Sequence, residues 1–191
     1  MLFAVLSFAA IGWQLVVHVQ SGFSVLNFFS YFTNLSNLLA AIVLAIGAWW
    51  LSSRRAPSRT FDLLRLTTVT SMVVVGIVFS VLLRDVDLGA LLPWVNVVLH
   101  YIMPVAVLAE WLIAPPGRLA APQLIRCLLF PLTYLVYTLV RGAATSWYPY
   151  PFLTPAIAGG YGGVSMYVLA IVVLFIAAAW VLLKVSNGRA A

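Results

Sequence analysis

The sequence predicts an all-α integral membrane protein, a single bundle of six transmembrane helices, from its composition and from the length of its apolar stretches. Of the 191 residues, 64% are hydrophobic and 7% are charged, and the mean hydropathy is +1.11. A soluble domain carries about 25% charged residues, so this chain could not cover its surface with polar groups. The apolar runs are long and do not alternate with polar residues, which favours helices over a membrane β-barrel.

Six stretches are long enough to cross the hydrocarbon core, which takes about 20 apolar residues in a helix. Their predicted bounds are 2–19, 27–51, 61–83, 91–113, 124–140 and 161–183. No Lys or Arg precedes the first stretch and no small-residue cleavage pattern follows it, so we interpret it as a retained span rather than a signal peptide. The longest connection, residues 142–160, is rich in aromatic residues and proline, as is typical of a membrane interface.

The basic residues predict that both termini are cytoplasmic. In a six-span arrangement, eight lie on the side of the termini: Arg54, Arg55, Arg59, Arg65, Arg118, Arg126, Lys184 and Arg189. Only Arg84 and Arg141 lie on the other side, and Lys and Arg accumulate on the cytoplasmic side of membrane proteins. We therefore expect a multi-pass protein of the plasma or inner membrane. The basic residues that give the net charge of +6 flank the spans and form no patch, so we expect no nucleic-acid partner.

Few side chains are available for a metal centre. The chain has one cysteine, two histidines and four acidic residues, which excludes an intramolecular disulfide and any site built from several cysteines. We predict no metal site and no cofactor.

Two polar side chains inside predicted spans attract attention, because polar groups are costly in hydrocarbon and often functional there. At 1.5 Å rise per residue, Thr33 lies about 9 Å inward of residue 27, and His100 lies about 13 Å inward of residue 91. The two spans run in the same direction. We therefore expect Thr33 and His100 to meet in a cavity that opens outward.

The neighbours of these residues strengthen the prediction. Asn37 lies four residues after Thr33, and Asn96 four residues before His100, so each amide shares a helix face with its partner. The Asn96 amide could hold the imidazole in one tautomer. Pro104 lies four residues after His100, where it removes a helix hydrogen bond and predicts a kink at the histidine.

A hydroxyl and an adjacent imidazole are the minimum that nucleophilic attack on an ester requires. Thr33 is the predicted nucleophile and His100 the predicted base. Span 5 adds a polar stripe at i, i+4 and i+7. The candidates for substrate binding or oxyanion stabilisation are Asn37, Asn96, Tyr134, Thr138 and Arg141.

Less specific interpretations remain open. A hydroxyl in a membrane helix commonly bonds the carbonyl four residues back or holds helices together. The same polar groups would also suit a non-enzymatic protein that binds or transports a lipid or small solute. Glu110 lies about 15 Å from His100 along the helix, so we expect it to pair with Arg118 or Arg126 instead.

Four motifs, in order along almost the whole chain, resemble the bacterial Pr6Pr family of small membrane proteins. They are FSYFTNLSN at 29–37, LHYIMP at 99–104, YTLVRG at 137–142 and WYPYPF at 147–152. That family is similar, more distantly, to the eukaryotic androgen-induced and androgen-dependent membrane proteins, threonine hydrolases that cleave fatty acid esters of hydroxy fatty acids. The resemblance implies Thr33 as nucleophile, His100 as catalytic histidine, and a lipid ester or fatty-acyl substrate drawn from membrane lipids.

Overall fold

The computed structural model describes residues 1–54, 57–86, 90–116 and 119–189, and every regular element in these ranges is helical. Six helices are long and apolar enough to cross a membrane, which confirms the all-α class and the number of spans. They are spans 1 to 6: Leu2–Gln20, Phe32–Ser52, Arg59–Leu83, Pro93–Ile113, Ala121–Thr145 and Gly160–Gly188. In the described parts of the connections lie three short elements: the helix Val25–Phe29, a 3-10 turn Pro151–Leu153 and the helix Pro155–Ala158.

Span 2 begins at Phe32 rather than at residue 27, because a separate short helix, Val25–Phe29, precedes it. Where the short helix ends, side chains donate hydrogen bonds to its carbonyl groups. The Ser30 hydroxyl donates to the Leu26 carbonyl (2.7 Å), and Asn34 Nδ2 donates to the Phe28 carbonyl (2.8 Å). Hydropathy is continuous across this break, so apolar composition alone could not reveal it.

Three spans change character along their length. Span 3 ends in a π-helix, Phe79–Leu83, and span 4 contains another, Val98–Ile102. Span 5 is divided at Leu128, three residues before Pro131, into helices Ala121–Cys127 and Leu129–Thr145. Pro131 has no N–H for the carbonyl four residues back, which accounts for a break just before it.

Span 3 is the centre of the bundle and packs against spans 2, 4 and 6. Its core face presents Leu66, Val69 and Met72, all at most 1% exposed, to Leu99 and Met103 of span 4 and its neighbours. In a water-soluble protein, burying one such side chain contributes about 1.5–3 kcal/mol. Between membrane helices the alternative to burial is lipid and not water, so close packing stabilises the contact instead. A tightly packed centre therefore holds spans 3 and 4 in register, which positions the residues discussed below.

Glu110 pairs with Arg65 of span 3, and not with Arg126 as predicted. Arg65 Nη2 donates to Glu110 Oε1 (2.7 Å) and to the Ala114 carbonyl, and its guanidinium lies 5.6 Å from the centre of the Trp111 ring. Arg118, the other predicted partner, lies outside the described residues. The prediction considered only the residues closest in sequence, whereas packing of span 3 on span 4 brings together residues 45 positions apart.

Candidate functional site

Thr33 and His100 line the same cavity, which we call the polar cavity. It has a volume of about 370 Å³, and the polar side chains that line it include Gln14, His18, Asn27, Thr33, Asn34 and His100. Residues from the connections between spans 1 and 2, 3 and 4, and 5 and 6 also line it, among them Phe23, Val86 and Tyr148. The cavity therefore lies at the end of the bundle opposite the two termini.

Thr33 lies closer to the start of its helix than the predicted depth assumed. Because span 2 begins at Phe32, Thr33 lies in its first turn, while His100 lies about 10 Å along span 4 from Pro93. The two residues nevertheless share the cavity, and both are buried, at 8% and 4% exposure.

The backbone carbonyl of Asn96, and not its side-chain amide, holds the imidazole of His100. His100 Nδ1 lies 3.1 Å from this carbonyl oxygen. A carbonyl only accepts, so Nδ1 carries a proton, and in the neutral ring Nε2 keeps its lone pair. The Phe79 ring stacks on the imidazole, with 3.9 Å between ring centres and an angle of 21°. The ring is thus fixed in the tautomer that a general base requires.

The predicted distortion at the histidine takes the form of the π-helix in span 4, with His100 at its centre. In a π-helix each N–H reaches the carbonyl five residues back, so the N–H that Pro104 lacks is the one the Leu99 carbonyl would receive. Asn37 Nδ2 supplies the missing donor at 3.1 Å and also donates to the Thr33 carbonyl at 2.9 Å. Asn37 therefore ties the turn of Thr33 to the turn of His100.

Asn37 and Asn96 are not positioned for the predicted role in substrate binding or oxyanion stabilisation. Both amide hydrogens of Asn37 are used on backbone carbonyls, and the side chain is completely buried. Asn96 Oδ1 is buried and has no hydrogen-bond partner within the described part of the chain. Neither residue appears in the lining of the polar cavity, so neither is placed to stabilise an oxyanion there.

A second cavity, of about 230 Å³, adjoins the polar one, and we call it the apolar cavity. Spans 3, 5 and 6 line it with side chains such as Val75, Leu135, Val172 and Phe175. Three of the described residues line both cavities: Thr33, Leu83 and Tyr150. Thr33 thus lies at the junction of a polar and an apolar compartment.

Tyr150 was missed by the sequence analysis, which assigned the aromatic and proline-rich connection to the membrane interface. Its hydroxyl accepts a hydrogen bond from the Thr33 N–H at 3.4 Å, and its ring stacks on Phe152 with 5.1 Å between ring centres. Burial raises the pKa of the Tyr150 phenol above its usual value. The fourth motif, WYPYPF, was the only signal pointing to this segment.

The polar stripe of span 5 does not face the polar cavity. It binds the helix Val25–Phe29 and the turn that follows this helix. Tyr134 donates to the Ser30 carbonyl at 2.9 Å, and Arg141 Nη2 donates to Asn27 Oδ1 at 2.6 Å. Arg141 also lies 4.6 Å from the centre of the Trp147 ring. Backbone groups in an irregular turn need partners when buried, which explains why polar side chains face this turn.

Of the predicted stripe, then, Tyr134 reaches only the apolar cavity, and Thr138 and Arg141 reach neither. Thr138 is 2% exposed. The structure accordingly places Thr33 and His100 in the lining of one cavity, and none of the five auxiliary candidates lines it.

Within residues 1–54, 57–86, 90–116 and 119–189, no three His, Cys, Asp or Glu side chains form a group that could hold a metal ion.

No protein-family model, curated protein or solved structure matches this chain. The resemblance to the Pr6Pr family stays a prediction.

Proposed function

We propose that this chain is an intramembrane lipid-ester hydrolase or acyl transferase with Thr33 as nucleophile and His100 as base. The observation that best supports the proposal is the position of Thr33, which lines a polar cavity together with His100 and an apolar cavity on its other side. A fatty-acyl ester has the same two parts, with its carbonyl at the boundary. An acyl chain in the apolar cavity would bring the carbonyl carbon to Thr33.

The reaction would proceed through an acyl-enzyme. His100 Nε2 takes the proton of the Thr33 hydroxyl as Thr33 Oγ attacks the carbonyl carbon. The bond to the alcohol breaks, and the departing alcohol receives the proton from His100. Water, or a second hydroxyl compound in a transferase, then attacks the acyl-threonine by the same proton route. The Asn96 carbonyl takes the place of the carboxylate that orients the histidine in many hydrolases.

The test is hydrolysis of a chromogenic long-chain ester by the purified protein in detergent. We expect Thr33→Ala and His100→Ala each to lower kcat at least about 100-fold, the scale of general-base catalysis. Thr68→Ala is the matched control, because Thr68 is also a buried threonine but its hydroxyl bonds the Leu64 carbonyl of its own helix. Equal turnover in the wild type and both site variants would reject the proposal.

The alternative is a protein that binds a lipid without chemistry, which the same pair of adjoining cavities would suit. A fluorophosphonate probe separates the two, since only an activated hydroxyl reacts with it. Phosphonylation mapped to Thr33 by mass spectrometry, and lost in His100→Ala, supports the enzyme. Retention of a lipid by wild type and His100→Ala alike, with no ester turnover, supports the binding protein.

We further propose that the polar cavity faces outward from a bacterial plasma membrane, with both termini in the cytoplasm. The excess of Arg and Lys on the terminal side supports this orientation, even though Arg65 is buried in its ion pair. Reporter fusions after Ser53 and after Val86 are expected to give cytoplasmic and external signals respectively. The reverse pattern would place the cavity at the cytoplasmic face.

A further inference from the structure

Two polar side chains stand at the junction of the two cavities. Of the described residues that line both, Leu83 is aliphatic, and only Thr33 and Tyr150 carry a hydroxyl. On the proposed function, the ester carbonyl lies at this junction. Its oxygen develops negative charge when Thr33 attacks, and an enzyme accelerates the step most when a fixed donor already points to that charge.

We propose that Tyr150 is a catalytic residue. Its hydroxyl donates a hydrogen bond to the substrate's carbonyl oxygen, which becomes an oxyanion when Thr33 attacks. This inference rests on the proposed function and adds to it the group that stabilises the tetrahedral intermediate. The hydroxyl accepts from the Thr33 N–H (3.4 Å), so its own hydrogen is available for a substrate atom placed beside Thr33. Tyr150 keeps its proton throughout, and the proton from Thr33 travels through His100 alone.

The donors predicted from the sequence are not available at this junction: Asn96 and Thr138 line neither cavity, and the other three are engaged elsewhere. Asn37 gives both amide hydrogens to the Thr33 and Leu99 carbonyls. Tyr134 gives its hydrogen to the Ser30 carbonyl at 2.9 Å. Arg141 binds Asn27 and lines neither cavity. Among these candidates Tyr150 alone lines both cavities.

The surroundings of Tyr150 suit an oxyanion donor. The ring is 7% exposed and nearly parallel to Phe152, at 8°, with Tyr31 against it at 5.8 Å between ring centres. Aromatic neighbours on two sides fix the ring, and the hydroxyl lies close to the Thr33 side chain and to the Tyr134 hydroxyl. A donor held in place before the reaction needs no reorganisation when charge develops.

Tyr150→Phe is the variant for the test, because it removes the hydroxyl and keeps the stacked ring. We expect kcat on a long-chain ester to fall about 100- to 1,000-fold, the cost of removing one oxyanion donor, with KM changed less than about threefold. Tyr167→Phe is the matched control. Tyr167 also contacts Phe152, at 5.9 Å between ring centres, but it lines neither cavity, so the kcat of Tyr167→Phe should stay at the wild-type value.

A second measurement separates catalysis from a structural role, since Tyr150 also supports the Thr33 backbone. A long-chain alkyl trifluoromethyl ketone forms an oxyanion when a hydroxyl adds to it, whereas the ether of equal length has no carbonyl. We expect Tyr150→Phe to weaken inhibition by the ketone about 100-fold and inhibition by the ether less than about threefold. Equal weakening of both inhibitors would show a structural role and overturn the inference.

The outcomes distinguish this inference from the function on which it rests. An active wild type with an equally active Tyr150→Phe variant overturns the role of Tyr150 and leaves Thr33 and His100 in place. A wild type that neither hydrolyses the ester nor binds the ketone more tightly than the ether overturns the hydrolase itself, and the role of Tyr150 with it.

Discussion

Replacing Asn37 by alanine should destabilise the bundle by about 1–2 kcal/mol, because Asn37 supplies both hydrogen bonds that join the turn of Thr33 to the turn of His100. The bond to the Leu99 carbonyl joins two helices, and such bonds average about 0.6 kcal/mol and reach about 1.7 kcal/mol. The bond to the Thr33 carbonyl lies within span 2 and is worth about 0.5–1.5 kcal/mol, so the two together are worth about 1–3 kcal/mol. Asn37 Oδ1 is buried without a partner among the described residues, and removing it offsets part of the loss.

The neighbouring residue provides the control. Ser36 is also completely buried, and within the described part of the chain its hydroxyl has no hydrogen-bond partner. Ser36→Ala should therefore change the free energy of unfolding by less than about 0.5 kcal/mol. The assay is unfolding by dodecyl sulfate in mixed micelles, followed by fluorescence of the seven tryptophans.

A loss of 1–2 kcal/mol corresponds to a change of about 5- to 30-fold in the unfolding equilibrium. We expect ester hydrolysis by Asn37→Ala to fall further, by about 100-fold, since displacing reacting groups by about 1 Å has that effect. If Asn37→Ala and Ser36→Ala unfold at the same dodecyl sulfate concentration, Asn37 does not connect the two spans energetically, and the reasoning about the π-helix is wrong.

Three further predictions concern the packing, the ion pair and the junction. Gly76→Ala should destabilise by about 1 kcal/mol, because its Cβ would lie 3.3 Å from an atom of span 4, whereas Gly12→Ala, with nothing within 4 Å, should be neutral in the same micelle titration. Arg65→Ala should lower the free energy of unfolding by about 2 kcal/mol, which is below the range for fully buried ion pairs because the Glu110 side chain is 36% exposed. Glu110→Gln should lower it less, because Arg65 keeps its hydrogen bond to the Ala114 carbonyl. Burial raises the pKa of Tyr150, so its contribution is intact below the ordinary value of 10.0 and is lost as the pH rises beyond it. Melting temperatures measured between pH 8 and 11 should accordingly fall less in Tyr150→Phe than in the wild type.

Thr33 and His100 share a cavity, as predicted, although the predicted start of span 2 was wrong. The predicted depth assumed a helix from residue 27, yet the chain breaks after Phe29 and Thr33 enters the first turn of span 2. The two residues still line one cavity, because each is a polar group within an apolar stretch and burial without polar neighbours is unfavourable. Chemical type alone was enough to single them out.

Partners distant in the chain were not accessible in this way. Asn37 was expected to face a substrate and instead serves the Leu99 carbonyl, 62 residues away. Tyr150 was assigned to the interface on composition, yet it meets Thr33 across 117 residues. In both cases the hydrogen-bond partner depends on which helices pack together, and residue type does not encode that choice.

The sequence by itself determined the class of the protein and the number of its spans, because a hydrocarbon core accepts only helices of a set length whose backbone polar groups are satisfied within each segment. Those are local requirements, and local composition reports them. Only the tertiary structure decided which polar groups serve the bundle and which face a cavity. A buried donor takes whichever acceptor packing brings within about 3 Å. By that pairing Asn37 and Tyr134 hold the scaffold, while Thr33 and Tyr150 lie at the junction of the two cavities and His100 lines the polar one.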